Sequence, residues 1–234
     1  MLVASASYAF LALIDISFRA LQPVFLSTPI EFGGLGLDPP VIGTVMSICG
    51  VMNGVCTIFF FSRMADCFGV KTIYLMGMSA AIPCFALFPT ISYLARNSTG
   101  ALGVAVWIAV GAQATISVMV CLCYGTSISK RVELSTDLYI LRARLYISGA
   151  VFIFIAAAAP NKASLGATNG ISQFSVSIVR AVGPALVSSL YSLSIDKEHH
   201  YMNGGLVYYV TVTFAIGALW VGSLLPKRPF KDRK

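Results

Sequence analysis

The sequence predicts an all-α membrane protein, a bundle of six transmembrane helices. Of its 234 residues, 57% are hydrophobic and only 11% are charged, and the mean hydropathy is +0.83. A typical soluble domain carries about 25% charged residues, so this composition excludes an ordinary soluble fold. Six stretches also reach the length of about 20 apolar residues that a helix needs to cross the hydrocarbon core of a bilayer. The sequence therefore predicts a multi-pass protein that has the lipid bilayer as a partner.

The six predicted spans cover about residues 4–27, 41–61, 72–94, 102–124, 164–193 and 205–225. The first has no basic residue ahead of Asp15, and its apolar run is longer than the core of a signal peptide, so we expect it to remain as a spanning helix. The link after the second span is basic, and so is the tail at 226–234, which holds five Lys or Arg residues. By the positive-inside rule both are cytoplasmic, and six spans satisfy that condition.

The stretch at 125–147 interrupts this pattern, because it is rich in charges and separates the fourth span from a short apolar run at 148–160. Its six charged residues would cost on the order of 15 kcal/mol in hydrocarbon on insertion scales, so we expect it to lie outside the bilayer core. A crossing at 148–160 would turn the basic tail outward. The short run is therefore interpreted as a re-entrant or interfacial segment, or as a distorted continuation of the preceding span.

Several classes of function are not supported by the residues present. The net charge of +7 is concentrated in the tail, without a basic face interleaved with aromatic residues, so we expect no nucleic acid partner. The six cysteines have no metal spacing, and the adjacent His199 and His200 point in different directions, so no metal site is predicted. No nucleophile elbow, zinc-protease motif or nucleotide-binding loop occurs, so neither an enzyme nor a cofactor is expected.

The most unusual span is the fifth, because Arg180 lies near its centre with Gly183 and Pro184 just beyond it. A charge at mid-membrane costs about 3 kcal/mol on insertion scales, so such a side chain usually faces a protein interior, a partner or a water-filled path. Gly183 and Pro184 permit close approach of a neighbouring helix and a local bend. Arg180 has three alternatives: pairing with Asp15, binding an anionic group of a substrate, or holding backbone carbonyls at the bend.

Asp15 and Arg19 are four residues apart in the first span, which places them on one face of a helix as a potential ion pair. The pair can be a structural lock, or part of a proton or substrate path in which the carboxylate titrates. Asp15 is the one acidic residue deep in a predicted span. It is therefore the carboxylate candidate for proton coupling.

The other polar residues of the spans have a simpler interpretation. Such side chains usually form hydrogen bonds between helices rather than contacts to a ligand, and the set comprises Asn53, Gln113, Asn169, Gln173, Ser177 and Ser188. Asn169 and Gln173 precede Arg180 in the same span and are kept as candidates for the transport path. Gly50 and Gly54 form a small-xxx-small pair, which predicts a contact between helices.

Three stretches of the chain resemble a known family: residues 25–43 (FLSTPIEFGGLGLDPPVIG), 62–71 (SRMADCFGVK) and 159–186 (APNKASLGATNGISQFSVSIVRAVGPAL). They are similar to the C-terminal half of a fungal major facilitator superfamily transporter of the drug:proton antiporter type, related to the tetracycline-efflux and zinc-induced-facilitator groups. The resemblance implies two three-helix repeats that form one half of a twelve-helix carrier, with the substrate path between the halves.

The resemblance also bears on the loop after the second span. The family carries a Gly-x-x-x-Asp-Arg-x-Gly-Arg-Lys motif there, and Asp66, Gly69 and Lys71 fall on it, whereas Ser62, Cys67 and Val70 depart from it. The resemblance implies a network around Asp66 that gates the cytoplasmic side. The alternative is that Asp66, Lys71 and Arg63 only solvate a turn and set the topology.

The resemblance implies secondary transport of a small solute, with proton-coupled export as the finer expectation. It also implies that the chain is a truncated form, and we expect 125–147 to be an insertion. The partner would then be a second half-transporter or, in a homodimer, another copy of the chain. The alternative is a membrane remnant or half-subunit that does not transport.

Overall fold

Six long helices, all but one separated by short links, make up the described part of the chain. The computed structural model describes residues 2–68, 70–97, 103–122, 155, 164–195 and 205–225. The helices are α1 (Leu2–Ser27), α2 (Pro39–Phe68), α3 (Val70–Asn97), α4 (Val104–Leu122), α5 (Leu165–Ile195) and α6 (Leu206–Ser223). A short 3-10 helix, Ile30–Phe32, lies between α1 and α2. No β-strand occurs in these ranges.

Each predicted span corresponds to one of these helices, although α2 continues past residue 61 to Phe68 and α3 begins at Val70. All six are long and apolar enough to cross a membrane. The protein is therefore an integral, multi-pass membrane protein with an all-α fold, as the composition predicted. The charged stretch at 125–147, the short run at 148–160 and the tail at 226–234 lie outside the described residues.

The odd-numbered helices run parallel to one another. Ser5 contacts Ser172 and Ile16 contacts Gly183, so α1 and α5 run in the same direction. The helices α1 and α3 are parallel as well, because the Tyr74 hydroxyl donates to the carbonyl of Ser7 and Phe88 packs on Phe25.

The helices α4 and α6 run in the opposite direction, and for α6 this follows because Gly222 lies beside Tyr74 whereas Tyr208 stacks on Phe88. Cys84 of α3 contacts Gln113 of α4, and Ile73 packs near Leu122. The end of α4 therefore lies on the same side of the bundle as the beginnings of α1, α3 and α5. If the chain crossed the membrane an odd number of times between α4 and α5, then α5 would run in the same direction as α4. The observed direction of α5 is the one that the positive-inside argument requires.

Aromatic rings from α1, α3 and α6 pack against one another between these helices. The ring centroids of Phe25 and Phe88 are 4.9 Å apart in an edge-to-face arrangement, and Tyr208 stacks on Phe88 at 5.6 Å. Phe18 packs near both Phe85 and Phe88. Such pairs add to the free energy gained by burying the rings, so α3 is held between α1 and α6.

The link after α1 folds back on the end of that helix. The backbone N–H of Leu35 donates to the carbonyl of Phe25 at 3.2 Å, and that of Leu37 donates to Leu26 at 2.9 Å. The last carbonyls of a helix have no partner within the helix, so these bonds cap α1. Gly33 adopts φ 92°, a left-handed conformation that glycine tolerates best, and so reverses the chain after the 3-10 helix.

Among the described residues one flank of the bundle is open, because α2 packs only loosely against the other helices. Only 6% of its apolar window is buried, against 44% for the window in α1. Large apolar side chains of α2 therefore face outward, among them Ile48, Val51, Val55 and Phe59.

Candidate functional site

A cavity of about 70 Å³, open on one side, lies between α1, α2, α3 and α4. Its wall is mostly apolar, with polar groups contributed by each of the four helices. The polar and sulfur-bearing lining residues are Asp15, Arg19, Gln22, Met46, Cys49, Asn53, Cys84, Ser117 and Cys121. An apolar pocket with a few polar groups is the usual form of a small-molecule site.

Asp15 and Arg19 both line this cavity and form the ion pair that their spacing predicts. Arg19 Nε lies 2.9 Å from Asp15 Oδ1, as a hydrogen-bonded pair one turn apart on α1. The Asp15 side chain is 16% exposed, whereas that of Arg19 is 60% exposed. The carboxylate is thus set into the wall, and the guanidinium stands at the open side. The two predicted roles of the pair, as a structural lock or as part of a path, both stay predictions.

Asn53 brings an unsatisfied polar atom to the cavity. Its side-chain Oδ1 is buried and has no hydrogen-bond partner among the residues that the structure describes. A buried carbonyl oxygen without a donor costs about 1–3 kcal/mol, so this atom is suited to accept a hydrogen bond from water or from a solute. We expected Asn53 to bond another helix, and within the described ranges it does not.

Gln113 does form the helix-to-helix bond that we expected. Its Nε2 donates to the carbonyl of Cys84 at 3.0 Å, and both residues are buried. This bond fixes α4 against α3 on the wall of the cavity. Cys84 and the two other thiols of the wall, Cys49 and Cys121, are free.

Arg180 lies on α5, away from this cavity, and its side chain is exposed. It forms no ion pair with Asp15, whose carboxylate is taken by Arg19, nor with any other acidic residue that the structure describes. The structure therefore does not contain the first of the three predicted alternatives for Arg180, the pairing with Asp15. Pro184 has no N–H to donate to the carbonyl of Arg180 four residues before it, so that carbonyl lacks its usual helical partner.

Gly183 is a close contact point between α5 and α1, as the sequence predicted. A Cβ at this position would come 2.7 Å from Ile16 Cγ2, so only glycine fits without a shift of Ile16. The helix continues past Pro184 to Ile195. This contact places the middle of α5 beside the residue that follows Asp15.

The two other candidates on α5, Gln173 and Asn169, differ in their contacts. Gln173 Oε1 accepts a hydrogen bond from the Tyr8 hydroxyl at 3.5 Å and so joins α5 to α1. Asn169 is exposed. One contact that the sequence analysis missed is the 2.8 Å hydrogen bond between the hydroxyls of Ser5 and Ser172, both buried. Small residues at both positions were the available signal for it.

The predicted helix contact at Gly50 and Gly54 is not made among the described residues. Both glycines are exposed, and a Cβ on either would meet no atom within 4 Å. The reason is the loose packing of α2, which leaves this face of the helix without a neighbour. Gly50 instead lines the open side of the cavity.

The loop motif is described only in part. The backbone of Asp66 belongs to the last turn of α2, its side chain lies outside the described residues, and so does Gly69. Lys71 contacts the end of a distant helix. Its Nζ donates to the backbone carbonyls of Ser223 and Leu225 at the end of α6. Among the described residues no group of three or more His, Cys, Asp or Glu side chains is arranged to hold a metal ion.

Two curated fungal proteins are similar to this chain. The major facilitator superfamily multidrug transporter mfsB of Aspergillus fumigatus is 26% identical over 232 residues, which cover 95% of this chain and 34% of that protein. The major facilitator-type transporter psiT2 of Psilocybe cyanescens is 23% identical over 214 residues, which cover 92% of this chain and 37% of that protein. The chain thus spans about a third of the length of these relatives.

No family model matches the sequence, and no solved structure matches it. The six-helix, strand-free architecture of the described ranges is nevertheless consistent with one half of a major facilitator transporter. The two relatives, both transporters, support the resemblance to the major facilitator superfamily that the three sequence stretches indicated.

Proposed function

We propose that the chain forms one half of a major facilitator-type secondary carrier, which moves a small organic solute across a membrane. The cavity between α1 and α4 would be part of the solute path, with Asn53 as a hydrogen-bond acceptor and the Asp15–Arg19 pair as its charged group. The names of the two relatives support transport as the general activity.

The Asp15–Arg19 pair is the observation that carries this proposal. Asp15 lies near the middle of α1, about 20 Å from either end at 1.5 Å per residue. A charged pair at that depth is costly in hydrocarbon. The guanidinium of Arg19 is nevertheless 60% exposed, so its surroundings are better explained as water or protein than as lipid. A water-filled path beside the cavity provides such surroundings.

Proton coupling would use the Asp15 carboxylate. A proton on Asp15 cancels its charge and weakens the pair with Arg19, which frees the guanidinium for another anion or for water. Loss of the proton restores the pair. A two-state element of this kind can link the binding and release of a proton to two states of the cavity.

The partner would be a second six-helix unit of the same architecture, which covers the open flank. Two features support this choice: Arg19 and Arg180 are exposed near the middle of their helices, and α2 is almost unburied. The glycine notches Gly50 and Gly54, exposed on α2, permit the close helix approach that such an interface needs.

Proteoliposomes that contain the purified full chain test the transport proposal. With an acidic interior and ethidium outside, proton-driven uptake is read from the fluorescence of the dye on nucleic acid trapped inside. We expect uptake by the natural sequence, a loss of at least about tenfold in Arg19→Gln because a charged contact is removed, and a loss of the pH dependence in Asp15→Asn. Asp38→Asn is the matched control, because Asp38 is an exposed carboxylate in a link.

Unchanged uptake in both Asp15→Asn and Arg19→Gln would show that this pair does not line the path. No pH-dependent uptake of ethidium by the natural sequence would count against proton-driven transport by this chain alone. Size-exclusion chromatography with light scattering tests the partner separately. A dimer or a stable heteromer is expected, and a monomer that remains folded in mild detergent would contradict the proposed second unit.

A further inference from the structure

A second pocket, of about 150 Å³, lies at the opposite end of the bundle from Lys71. The 3-10 helix, the ends of α3 and α5 and the beginning of α6 form its walls. It shares no lining residue with the cavity that holds Asp15. Four aromatic residues and one cation line this pocket. The aromatic residues are Phe32, Tyr93, Tyr191 and Tyr208, and the cation is Arg96, with Ser92 beside it.

Arg96 supplies the positive charge of this pocket. It lies in the last turn of α3 and is exposed, and no acidic side chain within the described ranges pairs with it. The backbone at Gly33 closes over it, since a Cβ there would lie 3.5 Å from both Arg96 Nη2 and Ser92 Oγ. The guanidinium is thus held beside a hydroxyl, under a loop, with its donors available to an anion.

Tyr191 supplies a buried hydroxyl that makes no normal hydrogen bond to the part of the chain that the structure describes. The side chain is only 4% exposed, and its hydroxyl has no hydrogen-bond partner of normal length among the described residues. The Thr28 hydroxyl lies nearby but outside normal hydrogen-bond geometry, and its own proton is donated to the carbonyl of Val24 at 2.7 Å. A buried hydroxyl left unpaired costs about 1–3 kcal/mol, so a ligand that offers an oxygen to Tyr191 would recover that free energy.

The position of the pocket indicates where the ligand comes from. Pro89 and Tyr93, which line it, are exposed on the surface of the bundle, and tyrosine is enriched where a helix meets the headgroup region. Lys71 and the basic tail mark the other end as cytoplasmic. The pocket therefore lies at the headgroup level of the non-cytoplasmic leaflet.

We propose that this pocket binds the phosphodiester headgroup of a membrane lipid. The Arg96 guanidinium binds the phosphate oxygens, the Tyr191 hydroxyl donates to one of them, and the rings of Phe32 and Tyr93 pack against the glycerol region. Arginine matches phosphate because its planar donors meet two oxygens at once. This site is independent of the proposed transport function, because it uses none of the residues of the solute path.

Native mass spectrometry of the delipidated full chain in detergent tests the site. The chain is titrated with dioleoyl phosphatidylglycerol, and with dioleoylglycerol as the lipid without a phosphate. We expect phosphatidylglycerol to bind about tenfold more weakly to Arg96→Gln and about fivefold more weakly to Tyr191→Phe, as lost charged hydrogen bonds predict. Arg96→Lys should be intermediate, because it keeps the charge but not the planar fork.

Tyr209→Phe is the matched control, because Tyr209 is exposed on α6 and does not line the pocket. Equal binding of the two lipids, or phosphatidylglycerol binding that neither Arg96→Gln nor Tyr191→Phe weakens, would overturn the proposal. Displacement of the lipid by excess inorganic phosphate would assign the pocket to a free anion instead and would also overturn it. If Arg96→Gln elutes as an aggregate, Arg96→Lys and Tyr191→Phe decide the question.

Discussion

Lys71, at the beginning of α3, donates a hydrogen bond of 2.7 Å from Nζ to the backbone carbonyl of Ser223, in the last turn of α6. A second bond from the same ammonium reaches the carbonyl of Leu225, which is almost fully buried. The last carbonyls of a helix lack partners and carry the negative end of its dipole, so a cation is favourable there. Lys71 thereby fastens the end of the last helix to the beginning of α3.

Lys71→Met should lower the stability of the folded bundle by about 1–2 kcal/mol, because both carbonyls lose a charged donor. A lower melting temperature in detergent, followed by intrinsic fluorescence, is the measurement. Lys71→Arg keeps a donor at this place and should recover most of the loss. Equal melting temperatures for all three proteins would show that the contact adds no stability.

Gly183→Ala should destabilise the chain by about 1–3 kcal/mol, because the new methyl group overlaps Ile16 in a packed contact. Ile16→Ala removes the obstructing branch, so the double variant should be more stable than Gly183→Ala alone. Gly170→Ala is the control on the same helix, since a Cβ there meets nothing within 4 Å. Additive effects of the two substitutions would contradict a direct contact.

The stability of variants of the Asp15–Arg19 pair is the first step in deciding whether the pair is a structural lock or part of a path. Arg19→Gln leaves a carboxylate that is only 16% exposed without its partner, and we expect a loss of about 2 kcal/mol, less than for a fully buried pair because Arg19 is exposed. Adding Asp15→Asn should restore the melting temperature.

Transport by that double variant then decides the role. A protein that is stable but inactive identifies the charges as part of the path. A stable and active double variant identifies the pair as a lock alone. The same proteoliposome assay of ethidium uptake reports both outcomes.

The thiols of the cavity report on its contents. Cys121 is partly exposed on the cavity wall, Cys84 is 2% exposed, and Cys67 is exposed at the end of α2. In variants that retain one of these cysteines, we expect a water-soluble maleimide to label Cys67 fast, Cys121 more slowly and Cys84 least. A transported solute should slow the labelling of Cys121 but not of Cys67. Equal slowing at both positions would place the solute elsewhere.

Much of the fold was readable from the sequence, because the bilayer imposes a strong local rule. A helix that crosses hydrocarbon must satisfy its backbone internally and present about 20 apolar residues, so composition and run length predicted all six helices within a few residues at most ends. The largest difference is at α2, which continues to Phe68. Polar residues can prolong a helix beyond the apolar core, and apolarity alone does not reveal that extension.

Pairings within one helix were equally predictable. The spacing of Asp15 and Arg19 fixed them on one face, because helix geometry relates residues four apart. The close contact at Gly183 followed from the absence of a side chain, although its partner Ile16 did not.

Only the tertiary structure decided which helices meet. It placed Gly50 and Gly54 on an open face, brought Lys71 to the end of a helix more than 150 positions away, and gathered Asn53, Ser117 and three thiols around one cavity. These relationships depend on the packing of side chains between helices distant in sequence, and in a membrane that packing is not marked by hydrophobicity, because lipid and helix surfaces are equally apolar. The sequence by itself determined the spans, whereas the cavity and the aromatic pocket with Arg96 arise only when the helices are assembled.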